Sequence, residues 1–231
     1  MSDVKKMVYS KYGFSFSLLK EDDIELVRQW RNDPVVSNNC EFRDHITPEM
    51  QKEWFRSINN INNLYTIISY QGEKIGVINL KNIDWEARAG EGGIFLPDPK
   101  HHQTIIPAII SYITTEIIFV MFEWKIGYAH VLKENKSVQQ FVRLLGYELM
   151  PGQENILNQK YRITSDYFEK RRSKLLKAVS ALVGNDEAGV FSVKPVDYAD
   201  PVVLQWEEKV KTNRFIRQIE TTDQGRFYYF S

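Results

Sequence analysis

Apolar and polar positions change period along this chain, and the changes mark its elements. FSFSLL (14–19) alternates, the two-residue repeat of a half-buried strand. EDDIELVRQWRND follows, with acids in its first turn and Ile24, Val27 and Trp30 on one face. It predicts an amphipathic helix stopped by Asp33-Pro34. Thr47-Pro48-Glu49 supplies an N-cap, a proline at the first helical position and an early acid, and so opens the helix PEMQKEWFRSI. LYTIISY (64–70), a Gln71-Gly72 turn and KIGVINLKNID (74–84) predict an antiparallel hairpin. RAGEGGIFL (88–96) reads as the next strand, and its Gly92-Gly93 pair implies a bulge or a close backbone approach.

An oily helix is expected over 104–121, then a strand WKIGYAHVL (124–132) and a helix NKSVQQFVRLLG (135–146). Two further strands, YELM and QKYRIT (159–164), complete the order β-α-α-β-β-β-α-β-α-β-β. Three strands in succession favour antiparallel pairing, and the later strand–helix–strand passage permits parallel neighbours. The expected class is α/β (α+β), a mixed and mostly antiparallel sheet with helices on both faces. Residues 1–168 read as one domain and 169–231 as a small C-terminal α+β extension. There a basic helix, SDYFEKRRSKLLKAVSAL, turns Leu175, Leu176 and Val179 inward and a solvated face outward. Asp200-Pro201 caps a short helix, and the last segment has the pattern of a hairpin turned at Asp223-Gln224-Gly225.

Composition narrows the partners. The chain is 43% hydrophobic and 26% charged, ordinary for a globular protein. Its 30 basic and 30 acidic residues cancel, so no global field draws nucleic acid or an anionic membrane, and neither partner is expected. The oily run TIIPAIISYITTEIIFVMF holds Pro107 and Glu116 and reads as a buried helix rather than a membrane span. Cys40 is the single cysteine, which excludes a disulfide within the chain and points to a cytoplasmic protein. His101 and His102 are adjacent, poor geometry for one ion, and no metal site is expected.

Taken together, WRNDP (30–34), TPEMQKEWF (47–55), the strand series closing on EGGIFL and VLKENKSVQQFVRLLGYEL (131–149) resemble the GNAT superfamily of N-acetyltransferases. The chain is similar above all to two branches, one acetylating ribosomal-protein N-termini and one acetylating amino sugars on nucleotides. The resemblance implies acetyl-CoA as co-substrate and a primary amine as acceptor. It also implies a sheet splayed between its fourth and fifth strands, here 88–96 and 124–132, with the pantetheine arm against Ile94, Phe95 and Leu96. The stretch matching the family's pyrophosphate loop is HQTIIP (102–107), which has none of the usual glycines. His102 stands on the basic position, and the amides of Gln103, Thr104, Ile105 and Ile106 remain as donors, while Pro107 offers none. Ile105 resists the positive φ a glycine would allow. An ordinary helix start capped by Thr104 is the alternative.

Amide formation needs a neutral amine and a base to receive its proton. Glu91 lies on the splayed strand, where some relatives place a carboxylate acting through water, and is the first candidate base; a sheet-edge charge is its alternative role. His130 in the facing strand is the second candidate. Asn135 matches the Asn of the family's Glu-Asn pair, either a helix cap or a contact for the cofactor arm. The tyrosine acid of many relatives is replaced by Val142. Trp30, Arg31 and Asn32 end the first helix on the acceptor side in relatives, Arg31 as partner for an acceptor phosphate or carboxylate and Trp30 otherwise as core. The expected function is acetyl-CoA-dependent N-acetylation of a small amine, an amino-sugar nucleotide being the preferred acceptor. A protein N-terminus as acceptor and a non-catalytic binding protein of the same fold are the alternatives. The hairpin RFYYF is suited either to cover the acceptor site or to pair with a second subunit as a homodimer.

Overall fold

The computed structural model describes residues 7–230. The sequence pattern starts the sheet at residue 14, but a strand precedes it. β1 (Val8–Lys11) pairs with β2 (Phe14–Leu18) across a turn at Tyr12 and Gly13, both at positive φ. The pattern conceals β1 because it is four residues long and ends on a lysine. Lys11 is nevertheless buried, since a partner carboxylate waits for it.

α1 (Ile24–Asn32) ends before Pro34 as expected, but Asp33 then caps a further turn, α2 (Pro34–Ser37). α3 (Pro48–Ile58) starts at its proline with the Thr47 hydroxyl accepting from the Met50 amide. β3 (Leu64–Tyr70), β4 (Glu73–Asp84) and β5 (Ala89–Phe95) form the expected antiparallel run. The expected bulge at Gly92-Gly93 is absent: both residues stay in register with Leu80 and Asn79, and the irregularity lies between Lys81 and Asp84. Close approach explains Gly93, where a Cβ would stand 2.9 Å from the Asn79 amide.

The oily segment forms α4 (Ile106–Glu116) and a π turn over Ile117–Met121, beginning two residues later than the pattern suggested. Residues 109–122 are buried throughout, which is why apolar residues surround the whole helix instead of forming one stripe. β6 (Ile126–Leu132) returns parallel to β5. α5 (Lys136–Leu145) ends at Gly146, φ 102°, where a Cβ would fall 2.0 Å from the Tyr167 ring, so only glycine fits. β7 (Glu148–Leu149) and β8 (Asn158–Thr164) close this side of the sheet.

α6 (Ser165–Val183) leads to β9 (Gly189–Val193), α7 (Pro201–Val210) and the hairpin β10 (Ile216–Thr222) and β11 (Gly225–Phe230). β9 pairs with β1 and β11 with β9, so the C-terminal strands prolong one sheet of order β10-β11-β9-β1-β2-β3-β4-β5-β6-β8-β7. The main core lies between the sheet and α4, α5 and α6. A smaller cluster of Leu19, Val27, Ile67 and Val77 packs α1 and α3 on the opposite face, with Trp30, Trp54 and Phe95 at its margin. Among the described residues no helix is long and apolar enough to cross a membrane.

Candidate active site

β5 and β6 are hydrogen-bonded partners only at Ala89–Ile126, Gly90–Gly127 and Glu91–Tyr128. Beyond that rung β6 follows β8 to Leu132 and β5 follows β4 to Phe95, so the two strands part. Along the wedge, 92–95 and 129–132 have no partner in each other's strand. α5 begins at Lys136 soon after β6 ends, and α4 begins at Ile106 after the loop that leaves β5 at Phe95.

Register places one row of polar side chains at the fork. Lys81, Glu91, Tyr128 and Arg162 are successive partners across β4, β5, β6 and β8, and His130 with Lys160 forms the next rung on the same face. His130 Nδ1 lies 3.3 Å from Glu91 Oε2, while Lys81 Nζ lies 3.5 Å and Lys160 Nζ 4.0 Å from the same carboxylate. The His130 hydrogen bond outweighs burial and, with its charge and the two lysines, holds the Glu91 carboxyl down at about 2. Lys160 also sits over the Tyr128 ring, 4.2 Å from its centroid. The sequence named Glu91 and His130 but missed both lysines; the β6–β8 register alone brings Lys160 here, and no local pattern encodes it.

The other expected residues are distributed as follows. Ile94 is partly exposed at the wedge, Phe95 faces α1 with Trp30 edge-on at 6.4 Å, and Leu96 is buried. The loop 97–105 holds no residue at positive φ, and Ile105 sits at φ −74°, so the missing glycines cost this backbone nothing. His102 Nε2 donates to the Leu96 carbonyl at 2.8 Å, and the Thr104 hydroxyl donates to the His101 carbonyl while accepting from the Ile106 amide at 3.2 Å. Gln103 and Ile105 are exposed at the tip. A phosphate at α4 would therefore compete with an existing cap for Ile106. Strand edges that part in this way offer unpaired main chain of the kind an extended amide chain can pair with.

Asn135 caps α5 through the Val138 amide and donates to Asn39 at 2.9 Å. Val142, on the position of the absent tyrosine, points into the core. Arg31 donates to Cys40 Sγ at 2.9 Å, and both ends of the Asn32 amide are taken by the Ile46 backbone. These two residues shape the loop after α1 and α2. That loop straps across to the far wall of the wedge by Asn39–Asn135, Glu41–Asn158 and Arg43–Glu134 contacts of 2.8–2.9 Å. Among the described residues no group of three His, Cys, Asp or Glu side chains is arranged for a metal ion.

Comparison with known proteins agrees with this geometry. Residues 15–148 match the family described as acetyltransferase (GNAT) domain. No curated protein matches the chain. Among solved structures, spermidine N-acetyltransferase from Vibrio cholerae in complex with CoA and spermine superposes with a TM-score of 0.61 at 15% identity, over 69% of this chain and 99% of that one. A nucleotide-linked sugar GNAT, FdhC in its apo form, gives 0.59 at 18% identity over 74% and 95%. A domain from Methanocaldococcus jannaschii DSM 2661 gives 0.55 at 17% over 69% and 99%.

Proposed function

The chain belongs to the GNAT acetyltransferase family, and we propose that it transfers the acetyl group of acetyl-CoA to a small primary amine, with His130 as base and Glu91 as the residue that positions it. The observation that carries this reading is the 3.3 Å contact between Glu91 Oε2 and His130 Nδ1 at the fork of β5 and β6. A carboxyl held at about 2 is too weak a base to take an ammonium proton near neutrality. As an acceptor it fixes the imidazole: Nδ1–H donates to Glu91, and Nε2 keeps its lone pair for the amine. In the amino-sugar and polyamine cases alike, the uncharged amine nitrogen attacks the thioester carbonyl. A C–N bond forms, His130 Nε2 receives the amine proton, and the C–S bond breaks to release CoA thiolate. The core-facing Val142 supplies no acid, and a thiol with an ordinary pKa of about 8.5 leaves without one.

Calorimetry with acetyl-CoA followed by thiol release over a panel of amines tests the reading. Binding, together with release that needs His130, is expected. Absence of CoA binding at millimolar concentration would overturn it and favour a non-catalytic role for the fold.

A further inference from the structure

The charges around the fork do not balance. Two ammonium groups, Lys81 and Lys160, and the imidazole of His130 surround one carboxylate. Arg162, opposite Tyr128 in the same row, adds a guanidinium whose partner across the β7–β8 register is Glu148. The nearby acids Glu41 and Glu134 are engaged by Asn158 and Arg43 in the strap. The lysines are also loosely held. Their 3.5 and 4.0 Å separations from Glu91 are long for charge-assisted hydrogen bonds, and their side chains are 43% and 32% exposed. Both ammonium groups are therefore free to leave Glu91 for a better anion without breaking a tight pair.

Resting on the acetyl-transfer reading, we infer that Lys81 and Lys160 form an anion clamp beside His130, and that the acceptor is an amine carrying a phosphate or diphosphate ester. The amine meets His130 Nε2 while the ester oxygens draw Lys81 and Lys160 off Glu91. A polyamine brings two or more further positive charges to a site already in cationic excess and is repelled. The clamp gives the substrate anion a role that the sequence assigned to Arg31, whose guanidinium is occupied by Cys40 Sγ.

The test uses the full chain with acetyl-CoA and four amines: glucosamine, glucosamine 1-phosphate, UDP-linked glucosamine and spermidine. The phosphate ester should exceed glucosamine in kcat/KM by about tenfold for each lysine contact, chiefly through KM, and the advantage should shrink as salt rises. Lys81→Gln and Lys160→Gln should each cut the ester-to-parent ratio about tenfold, with Lys→Arg retaining most of it. The UDP-linked and monophosphate arms tell a nucleotide carrier from a simple ester. A ratio near one in the unaltered chain, a preference for spermidine, or a ratio unmoved in the double glutamine variant overturns the clamp. Calorimetry with the phosphate ester against glucosamine separates the two ideas. Phosphate-dependent binding without thiol release keeps the clamp and sinks acetyl transfer; release without phosphate preference does the reverse.

Discussion

Two glutamates, one in the core of α4 and one at the fork, show how similar partners give opposite roles. Glu116 and Lys11 are 2.6 Å apart at 2% and 3% exposure, and the Tyr112 hydroxyl donates to the second oxygen at 2.8 Å. Burial, then the Glu116 charge, pushes the Tyr112 hydroxyl far up, so it stays a donor. Each oxygen of that carboxylate has a donor, and at 2% exposure water is kept from it. Glu91 is 15% exposed, and its partners stand at 3.3, 3.5 and 4.0 Å. Its surroundings can rearrange around a substrate, whereas those of Glu116 cannot change without unfolding. The sealed pair welds β1 to α4; the loose one is suited to chemistry.

The largest expected effect breaks the sealed pair. Glu116→Ala leaves Lys11 buried without a counter-charge and should cost roughly 3–5 kcal/mol in denaturant unfolding. Lys11→Met combined with Glu116→Leu should recover most of that loss, because neither charge then has to be desolvated. The remaining deficit, about 1–2 kcal/mol, belongs to the Tyr112 hydroxyl left without its acceptor, and adding Tyr112→Phe should remove it. A double variant as unstable as Glu116→Ala would mean that shape, not charge, holds this region.

At the fork the order reverses, with large effects on rate and small ones on stability. His130→Gln should lower kcat by roughly 10²–10⁴ and lower the melting midpoint by no more than a few degrees, read by thiol release and thermal melting. Glu91→Gln should lower kcat by about tenfold, less than losing the base itself, since the imidazole loses the carboxylate that orients it. Equal losses for the two variants would return the base role to Glu91 acting through water.

Local chemistry made most of this fold readable. Thr47-Pro48, Asn135 and Asp200-Pro201 each announce a helix start, and each caps as its residue type requires. What the sequence concealed depends on distant partners. Lys11 looks unfit for a buried strand until Glu116, 105 residues away, is placed beside it. Lys160 joins the site only through the β6–β8 register, and β9 reaches β1 only through a contact across nearly the whole chain. The glycine-free loop departs from the family pattern, yet its backbone needs no left-handed residue; the departure falls on donors for a phosphate rather than on the path of the chain.

The smallest effect separates the two glutamates by pH. The Glu91 carboxyl sits at about 2, below its ordinary value of 4.5, chiefly because His130 donates to it. The ionised form therefore favours the folded chain above about pH 4.5, and that contribution disappears as pH falls from there through 2. Glu91→Gln cannot titrate, so the stability difference between it and the unaltered chain should be flat above about pH 5 and close below it. Partial solvent screening limits the change to on the order of 1–2 kcal/mol, about 2–8 °C in Tm. If the difference is already flat down to pH 2.5, His130 is not holding the carboxylate in solution. The division of labour between the two residues would then lose its electrostatic basis, while the sealed pair at Glu116 would be untouched.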